Sequence, residues 1–152
     1  MDKIQLNMLS TILSLVLAFT LPSFDTDGPG YNAFIQSIYD GDTLTVVFSP
    51  DPITGGWVQE KIRLYDVANG RGVNTPEVRG PERPRGIISK LWVQEQIAAS
   101  PEERLITEGD RGKYGRLLGD ISYRCHPIAH PKDWCSLANR LVDGGLAEVK
   151  EY

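Results

Sequence analysis

Excess positive charge is missing from this chain. Its 16 Lys and Arg against 20 Asp and Glu give a formal net charge of -4, which excludes a protein that holds nucleic acid by bulk electrostatics. Any polyanion has to be met by a local cluster of arginines or by a bound cation. A long hydrophobic run is missing too. The most apolar stretch, MLSTILSLVLAFTL from Met8 to Leu21, has 14 residues, whereas a membrane span needs about 20. It suits the apolar core of a secretory signal. Residues 1–23 are therefore expected to direct export to the cell envelope or the exterior, although Asp2 cancels Lys3 and the best cleavage point, after Ser23, is a poor one. An uncleaved anchor is the alternative and a buried first helix a third reading. Membrane contact is expected to be transient and through this segment alone. No cysteine directly follows the apolar run, so a lipid-modified amino terminus is not supported. Residues 24–152 are expected to form one domain with a sizeable core.

Cysteine and histidine are scarce, two of each, and all four lie in SYRCHPIAHPKDWC. In an exported domain, Cys125 and Cys135 read as a disulfide closing a short loop, for roughly 2.5 to 3 kcal/mol in the chain-entropy account. The set Cys125, His126, His130 and Cys135 has the ligand types for tetrahedral zinc, but its spacing matches no common finger, and free thiols stay open as well.

Beyond the leader, strand signals precede helix signals. AFIQSIY and TLTVVF bracket the turn DGDT, and SPDPITGG leads to WVQEKIRLY. In that third strand Val58, Glu60, Ile62 and Leu64 alternate with Gln59, Lys61, Arg63 and Tyr65, so one face is mostly apolar and the other polar. The loop DVANGRGVNTPEVRGPERPRG follows, then a helix over residues 87–99 with Ile87, Ile88, Leu91 and Trp92 as its apolar stripe. ERLITEGD and RLLGDISY read as two more strands joined by RGKYG. A short last helix carries Trp134, Leu137, Ala138, Leu141 and Val142 and stops at Gly144 and Gly145. The pattern predicts a mainly β fold with helices: a five-stranded, OB-like Greek-key barrel, one helix after strand 3 and a short carboxyl-terminal helix.

The pieces IYDGDTLTV, IRLY, NTPEVRG, KYGRLLG and LVDGGLAEV stand in the order and context of the staphylococcal nuclease (thermonuclease) family, which residues 34–149 resemble. The resemblance implies an OB-like barrel and a calcium-dependent endonuclease that cleaves DNA or RNA by attack of water. By match to the family motif, Asp42 resembles the calcium-ligating aspartate, with Asp40 as its neighbour, and Thr75 would add its backbone carbonyl. Glu77 resembles the general base, Arg63 and Arg116 the two arginines that grip the phosphate, and Lys113 and Tyr114 residues beside the nucleotide. The second carboxylate ligand falls on Asn74, a departure that removes one negative charge and implies weaker calcium binding or a relaxed choice among hard cations such as Mg2+.

The chemistry of the residues agrees with that implication. Phosphodiester hydrolysis gathers negative charge on nonbridging oxygens, so it needs a cation, fixed positive side chains and a base near the attacking water. Aspartate oxygens are hard donors that select Ca2+ or Mg2+ over zinc. Two further departures bear on the site. Arg63 and Asn74 are eleven residues apart because ANGRGV looks inserted, which makes Arg71, between two glycines, a second candidate for the phosphate. The chain also ends at Tyr152, where the family continues with base-stacking tyrosines and a last helix. The expected partner is a nucleic acid substrate, no stable protein partner is evident, and the domain reads as a monomer. A noncatalytic OB module that binds single-stranded nucleic acid or a protein is the alternative, and DGDT and NTPE could each be ordinary turns.

Overall fold

A computed structural model describes residues 28–51 and 53–151; the leader expected over residues 1–23 lies outside them. Among the described residues, eight strands and two helices follow one another. They are β1 Tyr31–Asp40, β2 Thr43–Asp51, β3 Gly56–Asp66, β4 Arg71–Asn74, a 3-10 turn Gly80–Glu82, α1 Arg83–Ala99, β5 Glu103–Ile106, β6 Leu117–Tyr123, β7 Cys135–Ser136, α2 Leu137–Asp143 and β8 Glu148–Lys150. Among the described residues no helix is long and apolar enough to cross a membrane.

The barrel closes through one parallel contact. β1 pairs with β2, β2 with β3 and β5 with both β1 and β6, all antiparallel, and β3 meets β6 in parallel over Ile62 to Leu64 against Leu117 to Gly119. These five strands form the closed, OB-like barrel that the alternating patterns predict. The inward residues Leu44, Val46, Ile62, Leu64, Leu105 and Ile121 are at most 1% exposed, so the apolar half of each alternation fills the barrel. Val58, from the same alternating set, is 40% exposed because β3 extends past the barrel into a hairpin.

Three elements differ from the sequence expectation. The loop after β3 contains a short strand, β4, which pairs with both β3 and β8, so the helix follows a fourth strand. α1 buries Gly86, Ser89 and Val93 and leaves Ile88 and Leu91 more than half exposed. Its packing face is chosen by close approach, since only small residues fit where the helix meets the DGDT turn and the NTPE segment. A Cβ on Gly41 would lie 3.1 Å from Cβ of Ser89, and one on Gly86 would lie 2.2 Å from the carbonyl oxygen of Glu77. Trp134 is not part of the last helix. It lies before β7, with the Arg124 guanidinium 3.7 Å from its ring centroid, and Ser136 caps the helix by accepting from the Asn139 backbone N–H at 3.1 Å. Gly145, at φ 69°, takes the left-handed conformation that ends α2, as the Gly-Gly pair predicts.

Candidate functional site

The site is built where β1 turns into β2. Asp40 accepts from the Asp42 backbone N–H at 3.2 Å, which folds the tetrapeptide and turns the Asp42 carboxylate inward. Asp42 is 1% exposed. Its Oδ2 accepts from the Thr75 backbone N–H at 2.7 Å, and its Oδ1 accepts from the Thr43 hydroxyl at 3.1 Å and from Nη1 of Arg63. The two acidic turns are thus joined through one carboxylate. Arg63 gives its other terminal nitrogen to Oδ1 of Asn74, at 2.8 Å. One guanidinium therefore bridges the two oxygen groups that the family motif places as ligands.

Electrostatics at this point are under-compensated. Burial away from water pushes the Asp42 carboxyl up to about 6; the nearby Asp40 adds to the rise, while Arg63 and the Thr75 N–H oppose it. The Thr75 hydroxyl oxygen is buried without a hydrogen-bond partner. Asp42, Asn74 and Thr75 thus present hard oxygens that could hold a divalent cation, with Asp40 alongside.

Above this floor opens a cavity of about 1190 Å³, whose walls include Asp40, Arg63, Asn74, Glu77, Lys113 and Arg116. Arg63 is directed there by the strand alternation and Arg116 by its place at the start of β6, where Nη1 donates to the Thr43 hydroxyl at 3.2 Å. Tyr114 is 76% exposed at the tip of the RGKYG turn, with the charged ends of Lys113 and Arg116 5.7 and 5.8 Å from its ring centroid. Glu77 is exposed at the rim, and its backbone N–H donates to the Glu82 carboxylate at 3.1 Å.

Arg71 does not join this site. It stands in β4 rather than in a mobile loop, and donates to Asp66 at 2.9 Å and to Asn139 at 3.0 Å, so a buried carboxylate and α2 hold it away from the cavity. Arg71, the second candidate for the phosphate, is thus not among the residues that line this cavity. Lys61 and Arg111 line the cavity although the family motif does not point to them. The signal for Lys61 was present in the β3 alternation, two residues before Arg63 on the polar face. Arg111 carries no comparable local signal, because its place follows from the fold of the β5–β6 connection.

Cys125 and Cys135 form a disulfide with their Cα atoms 5.8 Å apart. Among the described residues the one group of three His, Cys, Asp or Glu side chains with ligand atoms within 4.8 Å of one another is Cys125, His126 and Cys135. With both sulfurs bonded to each other, the zinc alternative loses its thiolates. The His126 and His130 rings, with centroids 6.2 Å apart, belong to this loop. In comparisons with known proteins, no family model and no curated sequence matches the chain.

Proposed function

We propose that this protein is an exported, metal-dependent nuclease that hydrolyses phosphodiester bonds of DNA or RNA, in the manner of the thermonuclease family its motifs resemble. The observation that carries the reading is the gathering of Arg63, Arg116, Lys113 and Lys61 with Asp40 and Glu77 around one open cavity, in a chain of net charge -4. Such a local cluster is what a polyanion needs from an acidic protein. Arg63 and Arg116 would grip the phosphate, since a planar guanidinium donates to two oxygens and stays charged at any working pH. Glu77 would take the proton of the attacking water, and Lys113 and Tyr114 would hold the adjoining nucleotide.

The oxygens of Asp42, Asn74 and Thr75 suit a hard divalent cation, calcium or magnesium, which when bound supplies positive charge at the phosphate and lowers the pKa of water. The buried, incompletely neutralised Asp42 carboxylate and the unpartnered Thr75 hydroxyl support that donor set. Asn74 offers a neutral oxygen, so the affinity for calcium would be lower than at an all-carboxylate site. The reading requires Arg63 to leave Asp42 and Asn74 and turn its guanidinium to the substrate.

The Arg63 contact also favours a second reading. If the guanidinium stays on Asp42 and Asn74, the barrel binds single-stranded nucleic acid or a protein without cutting it. The full chain incubated with denatured DNA, in calcium or in excess chelator, separates the two on a gel. Cleavage is expected with calcium only. Equal cleavage in chelator would overturn the metal mechanism, and retention of intact DNA in both would favour the binding module.

A further inference from the structure

The polar face of the β2–β3 hairpin continues past the cavity. Thr43, Thr45 and Val47 stand opposite Arg63, Lys61 and Gln59 in an unbroken register, and Phe34 on β1 stands opposite Val47. One step beyond Gln59 on that face is Trp57. The rings of Phe34 and Trp57 meet with centroids 5.3 Å apart and planes at 37°, and the two side chains remain 62% and 51% exposed. Along β3 the outward residues therefore run Trp57, Gln59, Lys61, Arg63, from an aromatic pair through a lysine to the arginine of the phosphate site. The span is six residues, about 20 Å at the rise of a strand, or a few nucleotides of single strand.

We propose that Phe34 and Trp57 form a stacking platform for bases of a single-stranded nucleic acid whose cleaved phosphate lies at Arg63, with Lys61 holding the backbone between them. The proposal rests on the nuclease reading for its anchor at Arg63 and adds a second binding site to it. Its occupant follows from continuity and charge. Two exposed aromatic rings offer π-faces that any base can use, and the path from them to the cavity passes Val47 and carries the Gln59 amide, the Thr45 hydroxyl and the Lys61 ammonium, groups that suit a sugar-phosphate chain. A second copy of the chain fits less well, because pairing this face with itself would set Lys61 and Arg63 of both copies close together.

Oligonucleotides of about two to eight nucleotides test the platform on the full chain. Binding is measured by fluorescence anisotropy in chelator, so that it does not depend on cleavage, and KM is measured with calcium. For the parent, affinity should climb with length and level off once the chain reaches Trp57. The double variant Phe34→Ala/Trp57→Ala should lose roughly 10-fold or more of that gain, with dinucleotide binding and kcat unchanged, whereas Phe34→Tyr/Trp57→Phe should keep it. A double alanine variant that melts with the parent and retains the parent length profile overturns the platform. So does a change in sedimentation without a change in length dependence, which would assign the face to a second copy. Loss of cleavage in the parent with the length-dependent binding intact would instead refute the nuclease reading and leave the platform standing.

Discussion

Replacing Gly86 by alanine in α1 sets two effects of opposite sign against each other. In an exposed helix interior, Gly→Ala gains about 1 kcal/mol, because alanine loses less backbone entropy on folding. At Gly86 the added Cβ would stand 2.2 Å from the Glu77 carbonyl oxygen, 2.5 Å from its carbon and 2.8 Å from the Pro76 carbonyl oxygen. These are backbone atoms, so no rotamer change relieves the overlap. Either α1 or the Thr75 to Glu77 segment must move by about an ångström. Overpacking of this kind costs roughly 1–3 kcal/mol and sometimes more, and it should outweigh the helix-propensity gain. We expect Gly86→Ala to lower the unfolding free energy by about 1–3 kcal/mol in urea titrations, with the m-value unchanged. The displaced segment carries the Thr75 N–H that holds Asp42 and the Glu77 carboxylate at the cavity rim. Under the nuclease reading the variant should therefore also lose turnover, and added calcium should not restore it. A variant stabilised by about 1 kcal/mol, as helix propensity alone predicts, would refute the close packing of this loop on the helix and with it the placement of Glu77.

Three other substitutions probe separate parts of the molecule. Arg63→Ala should lower turnover by roughly 10² to 10³, the scale of losing one transition-state donor, while Arg71→Ala should change turnover a few-fold and cost about 1–3 kcal/mol of stability because the buried Asp66 loses a charged donor; the reverse pattern in steady-state kinetics and urea melts would move the phosphate site to β4. Glu77→Gln should slow cleavage by about 10² or more with calcium binding retained, and cleavage at the parent rate would leave Glu77 a turn residue. Asp120, buried under α2, has its carboxyl raised from 3.8 to about 6, chiefly by desolvation and against the bonds from Ser136, Ala138 and Ile121. A carboxyl whose pKa is higher folded than unfolded favours folding fully below the unfolded pKa, and the benefit is lost as pH rises through the folded one. Relative to Asp120→Asn, the parent should thus lose up to about 3 kcal/mol between pH 4 and pH 7; a pH-independent difference in urea midpoints would refute the buried ionisation.

Strand alternation, turn residues and helix stops are short-range signals, and they were legible. The period-2 pattern of WVQEKIRLY already directed Ile62 and Leu64 inward and Lys61 and Arg63 to the other face, because successive side chains must point to opposite sides of a strand. Gly144 and Gly145 marked the end of the last helix for an equally local reason. The DGDT turn placed Asp40 beside Asp42 through a bond two residues long. What the chain could not disclose by itself were choices made between distant segments. The apolar periodicity of α1 pointed to Ile88 and Leu91, yet Gly86 and Ser89 are buried, since close packing selects for small size where a turn crosses the helix. Alternation and the motif already favoured Arg63 over Arg71 as the phosphate candidate, but the partners of the two arginines were set only in space. Asp66 and Asn139 captured one, and Asp42 and Asn74 held the other. A buried carboxylate requires a charged or hydrogen-bonding partner, and which cation reaches it is decided by the closure of the barrel.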